Sequence, residues 1–165
     1  MLDISQARRL STIARNRMAA QEELEDEVQF DWEARAIELM ADPELIDFLC
    51  DFVDEGLRGA ANHGDNSIVI TAITRTWRGE RQHGISASSD NYSSYNLFAA
   101  NYDDIASIFA KYDFMDVSAQ DDVFEILCAM FQDIIAPLYE EQGYSVWVDD
   151  DVDGSYHRAT VTLQW

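Results

Sequence analysis

From Asp121 onward, apolar residues recur at helical spacing: Val123, Leu127, Met130, Phe131, Ile134 and Leu138, with Phe124, Cys128 and Ile135 widening the stripe. The pattern predicts a long amphipathic helix that forms the spine of the core. Gly143 follows Glu140-Glu141-Gln142 where a left-handed cap is wanted, and Tyr144 to Val148 then switches the period from 3.6 to 2. Beyond an acidic turn, Ala159, Val161, Leu163 and Trp165 alternate with Arg158, Thr160, Thr162 and Gln164, so a two-strand hairpin is expected to close the chain.

The earlier chain reads in the same way. Ile4 to about Glu27 predicts a first helix with a thin apolar stripe of Leu10, Ile13 and Met18, narrow enough to pack on one side only or onto another chain. Its basic first half and acidic second half oppose the helix macrodipole. Trp32 to Met40 predicts a short second helix. Asp42-Pro43-Glu44 then supplies an N-cap, a proline at the first helical position and an acidic first turn. The helix that follows carries Leu45, Ile46, Leu49, Phe52, Val53 and Leu57 inward and Asp47, Asp51, Asp54 and Glu55 outward.

After a turn at Asn62-His63-Gly64-Asp65, the β-branched run Ser67 to Thr74 predicts a central strand. It can continue through Arg78, turn at Gly79-Glu80 and return as Gln82 to Ser88. Ser86 to Tyr95 is the most loop-like stretch, a helix is expected from about Tyr102 to Tyr112, and Asp113 to Ala119 links it to the C-terminal helix. The resulting fold class is α+β: one domain over 1–165, a small, mainly antiparallel sheet packed against several helices, with 1–27 as a helix able to protrude.

Charge changes this picture most. The formal net charge is −21, distributed unevenly. Residues 1–20 carry Arg8, Arg9, Arg15 and Arg17 against Asp3, while 21–57 include Glu22, Glu23, Glu25, Asp26, Glu27, Asp47, Asp51, Asp54 and Glu55 against Arg35 alone. A second basic island holds Arg58, Arg75, Arg78 and Arg81. Such a field repels nucleic acid over most of the surface and attracts basic partners. Basic residues are ten Arg and one Lys, and Asp outnumbers Glu by 20 to 12, which also suits a protein adapted to high salt; 13 Ile and eight Phe suit that reading less well. There is no apolar run near ~18 residues and no signal-peptide apolar region, so neither membrane spanning nor export is expected. Cys50 and Cys128, each among apolar residues, read as free thiols in a reducing cytoplasm, the cell's own or an infected host's; a disulfide between them is the alternative.

Asp149-Asp150-Asp151-Val152-Asp153-Gly154 contains the first half of a calcium loop, but the twelfth position is Thr160 and predicted strands flank it, so the EF-hand reading fails. A hairpin turn at Asp153-Gly154 accounts for the same residues, with an incidental weak calcium site as the alternative. Arg75, Trp77, Arg78, Arg81 and His83 form a basic and aromatic cluster that could hold a phosphate or pair with the protein's own carboxylates; pairing is favoured because carboxylates are in excess. His63, His83 and His157 have no ligand-like spacing, so no metal site, no cofactor and no catalytic set is expected.

The segment Leu138-Tyr-Glu-Glu-Gln-Gly-Tyr-Ser-Val-Trp-Val148, an Asp-Gly turn and Ala159-Thr-Val-Thr-Leu-Gln-Trp165 resemble the ending of small acidic bacteriophage proteins of unassigned activity. Ala60 to Ile70 is similar to their helix, glycine and strand step. The resemblance implies a topology and carries no functional residues across. The expected function is a non-enzymatic structural or assembly protein of phage type. It would dock on protein partners, other virion subunits or a second copy, through the acidic face and the arginine contacts named above. The alternative is a DNA-mimicking inhibitor of a host nucleic-acid-binding protein, centred on Glu22 to Glu55.

Overall fold

The computed structural model describes residues 4–20, 26–94, 96–114, 121–153 and 156–165; at 17–20, 26–31, 75–77, 81, 98–102 and 121 it describes the backbone alone. Helices α1 (Ile4–Ala20), α2 (Asp26–Met40) and α3 (Pro43–Asn62) precede strands β1 (Ser67–Trp77) and β2 (Glu80–Ser88). Helix α4 (Leu97–Ala110), helix α5 (Asp121–Met130), a π-helical turn (Phe131–Ile135) and α6 (Ala136–Glu141) follow, and β3 (Ser145–Asp153) and β4 (Tyr156–Gln164) end the described chain. The architecture is α+β, an antiparallel sheet in the order β2-β1-β4-β3 with helices packed on it.

Local chemistry explains the element ends. Asp42 caps α3 by accepting from the Glu44 and Leu45 amides at 2.8 and 3.1 Å, and Pro43 sets the first helical φ. Helices α3, α4 and α6 each end with a left-handed residue, Gly64, Asp113 and Gly143, whose neighbours close six-to-one bonds: Asp65 to Ala60, Phe114 to Phe109 and Tyr144 to Tyr139. Arg78 (φ 52°) and Gly79 (φ 80°) make a two-residue turn between the paired Trp77 and Glu80, the left-handed pair that a twisted hairpin prefers.

The central strands bury one face only. Ile68, Ile70, Ala72 and Thr74 of β1 and His157, Ala159, Val161 and Leu163 of β4 lie under the helices, while Val69, Thr71, Ile73, Thr160 and Thr162 on the other face stay half-exposed. Against the buried face pack α3 and the α5–π segment. Gly56 makes the approach of α3 possible: a Cβ there would lie 2.5 Å from Ile68 Cδ1 and 3.0 Å from the Ala87 Cβ.

Four expectations change. The helix expected over Ile4–Glu27 is described as two elements, α1 and α2, that pack on one another, with 21–25 outside the described residues. Nor does α1 protrude: Leu10, Ile13 and Ala14 are buried, and the helix lies against α5 and α2. The C-terminal helix is interrupted by a π turn before Pro137, which cannot donate to the Asp133 carbonyl; the Ala136 amide bonds Phe131 instead. Finally, Asp149 to Asp153 is strand, not turn: Asp149 stands opposite Thr160 and Asp151 opposite Arg158, and Gly154 lies outside the described residues.

Candidate functional site

Helix α3 builds an acidic surface because its 3.6-residue period sends Leu45, Leu49, Phe52 and Val53 to the core and leaves Asp47, Asp51, Asp54 and Glu55 exposed. Beside this stripe, α4 supplies the opposite wall of a groove of about 510 Å³ lined by Glu44, Asp47, Asp51 and Asp104, with Phe48 and Ile108 at its floor and Ser107 on its α4 side. Carboxylates on both rims over an apolar floor suit a cationic side chain with an aliphatic stem. One end already shows such a contact. Lys111, the chain's one lysine, places its ammonium on Glu44, and that hydrogen bond raises its pKa above the ordinary lysine value.

The flank of α3 away from α4 is held differently. Tyr139, buried on α6, donates its hydroxyl to Asp54 at 2.6 Å and lies 3.0 Å from the Cys50 carbonyl. Burial, then the Asp54 contact, pushes the Tyr139 hydroxyl well above the ordinary tyrosine pKa. Asp54 is thus committed to the fold, whereas Asp47 and Asp51 face the groove. At the N-terminus of α3, Tyr112 donates to Asp42 at 2.5 Å, which with the two cap amides holds that carboxyl below its usual range against the opposing effect of burial.

A second polar cluster joins α1, α5, β3 and β4. His157 lies 2.7 Å from Glu125 and 2.6 Å from Asp150, whose other oxygen meets Arg9 at 2.5 Å. The contacts to Asp150 and Glu125, opposed by burial, raise His157 to about 9. Both imidazole nitrogens are engaged by carboxylates, so the ring serves as a structural cation and is poorly placed to act as a base. Sequence spacing did not single out this cluster, although the alternation that buries Ala159, Val161 and Leu163 also places His157 on the buried face.

Of the expected acidic residues, Glu22, Glu23 and Glu25 lie outside the described residues, as do the side chains of Asp26 and Glu27. Of the expected basic contacts, Arg8 and Arg15 are exposed on α1, Arg9 belongs to the His157 cluster and Arg78 is exposed in the β1–β2 turn; the side chains of Arg17, Arg75 and Arg81 are not among those described. His83 meets Thr74 at 2.6 Å and stacks on Phe124 with centroids 4.9 Å apart. The groove residues Asp104, Ser107 and Ile108 come from α4, more than ~40 positions downstream of the α3 residues they face, too far for a spacing argument to join them. Cys50 and Cys128 are free thiols, both raised above the ordinary thiol pKa first by burial and then by neighbouring carboxylates. Among the described residues, no group of three or more His, Cys, Asp or Glu side chains is arranged to hold a metal ion, and no helix is long and apolar enough to cross a membrane.

Comparison with protein-family models, with curated proteins and with solved structures finds no match to this chain.

Proposed function

We propose that this chain is a non-enzymatic structural or assembly protein, of the phage type that its C-terminal pattern resembles, which docks a basic protein partner on the face formed by α3 and α4. The observation that carries this reading is the groove itself, where Asp47 and Asp51 on one rim oppose Asp104 on the other above Phe48 and Ile108. Like charges this close repel, so their concentration is costly to the isolated fold and becomes favourable when a cation is inserted. The test is affinity purification of the wild type and of a combined Asp47→Asn, Asp51→Asn, Asp104→Asn variant from the native source, at low and high salt. A basic subunit recovered in stoichiometric amounts by the wild type and lost by the variant supports the proposal. Equal recovery by both overturns it.

A second reading, imitation of DNA, is favoured by one feature. Glu44, Asp47, Asp51, Asp54 and Glu55 place five carboxylates along α3, about one per 4 Å of helix at a rise of ~1.5 Å per residue, against one phosphate per ~3.4 Å along a DNA strand. This reading requires that duplex DNA compete with the protein for the recovered partner.

A further inference from the structure

The two edges of the sheet are finished differently. Along β2, the loop after Ser88 folds back: Ser94 accepts from the Ala87 amide at 2.8 Å, its own amide bonds the Ala87 carbonyl at 2.8 Å, and Asn96 accepts from the Ile85 amide at 3.3 Å. Asp65 holds that loop through Ser89 and Asn91 at 2.6 to 3.0 Å. Backbone groups of Ile85 and Ala87 that would otherwise template another strand are thereby occupied.

Strand β3, at the opposite end, has no described element paired along its outer side. It offers nine residues, roughly 30 Å of extended edge. Three of its four apolar side chains are uncovered: Trp147 is 54% exposed on the open face, and Val148 and Val152 are 49% and 66% exposed on the helix side, while Val146 packs against the core. Gln132 donates to the Asp149 carbonyl at 3.2 Å and so ties the strand to the helices.

We propose that the free edge of β3 accepts an extended segment of a partner protein, alternating basic and apolar residues, as an added strand. Backbone pairing supplies the attachment, Trp147 and Val148 supply apolar cover, and Asp149, Asp151 and Asp153, all on the open face, select cationic side chains on the incoming strand. A second copy is disfavoured as the occupant. Pairing two β3 edges would bring four aspartates from each chain together between molecules that each carry −21. This surface is separate from the α3–α4 groove, since α3 and α4 pack at the β1–β2 end of the sheet.

The experiment uses the full chain and two synthetic peptides, Lys-Val-Lys-Val-Lys-Val-Lys and the same sequence N-methylated on every backbone amide so that neither edge can pair, with hydrogen exchange at β3 read by NMR. The expected result is at least a tenfold slowing of alternate β3 amides with the first peptide, none with the N-methylated peptide, and loss of the effect in Asp151→Lys, an exposed change that leaves the core intact. Equal effects of methylated and unmethylated peptides, slowing confined to α3 and α4, or no slowing at saturating peptide would each overturn the proposal. Slowing of β3 exchange with protein concentration alone would overturn it in favour of self-pairing. Because the readout is β3, failure here leaves the α3–α4 reading standing, and failure of that reading leaves this one.

Discussion

His157 on β4 and Asp150 on β3 meet at 2.6 Å, and because Glu125 engages the other ring nitrogen at 2.7 Å, the imidazole carries both protons in the folded protein. A histidine raised from 6.5 to about 9 contributes stability that is fully present below about pH 6.5 and is lost as pH rises through 9. Solvent at the partly exposed carboxylates reduces the contribution to about 2 kcal/mol. Urea melts of the wild type and His157→Gln at pH 6, 8 and 10 should show the variant less stable at pH 6 by a similar amount, with the gap between the two closing as pH rises, while the buried thiols and tyrosines lower both proteins alike toward pH 10. A gap that stays constant between pH 6 and 10 would contradict the assignment.

The Tyr112 and Asp42 contact joins the end of α4 to the start of α3, and it pushes the Tyr112 hydroxyl up to about 12. Asp42→Ala removes the cap of α3 and strands the Tyr112 hydroxyl, an expected loss of about 2 kcal/mol. Tyr112→Phe should cost about 1 kcal/mol. Because the folded Asp42 carboxyl lies below its unfolded value, its contribution is present above about pH 4 and lost as pH falls through the folded value. Acid titrations of the two variants, followed by circular dichroism, check the direction.

Gly56 lets α3 approach the sheet so closely that an added Cβ would lie 2.5 Å from Ile68 Cδ1. Both Ile68 and Ala87 are fully buried there, so Gly56→Ala has no free space to enter and is expected to cost about 1–3 kcal/mol by lifting the helix from β1 and β2. Chemical denaturation measures this directly. A neutral result would mean that Ile68 repacks.

On the exposed side of the same helix the expectation reverses. Asp47 and Asp51 stand one turn apart, and Glu55 follows a turn later, an arrangement of like charges that weakens a helix. Asp51→Lys should therefore raise stability by about 0.5 kcal/mol at low ionic strength, with the gain gone in about 1 M salt. A carboxylate whose removal stabilises the fold is retained for something other than folding, so thermal melts at two salt concentrations test the docking face independently of any partner.

Where the sequence was legible, local physics was sufficient. The β-branched run from Ser67 and the Asp42-Pro43 start of α3 declare themselves, and both the central strand and the inward stripe of Leu45, Leu49, Phe52 and Val53 are found as expected. The acidic stretch 149–153 misled because aspartates in series read as a turn. Its place in β3 depends on Arg9 and His157, which come from distant segments and join Asp150 there. The groove escaped notice for the same reason: Asp47 and Asp104 share no spacing and meet only after the sheet has set α3 beside α4. The π turn before Pro137 has no signature in the spacing, because the apolar stripe runs through it and keeps Phe131 and Ile135 buried.

The closure of β2 by Ser94 and Asn96 also limits what this sheet can build. A sheet open at both edges can polymerise, each added molecule offering a fresh template to the next. With the Ile85–Ser88 half of β2 already bonded internally, that edge offers a newcomer at most a short strand, so a complex formed through β3 would add one strand and keep a fixed stoichiometry.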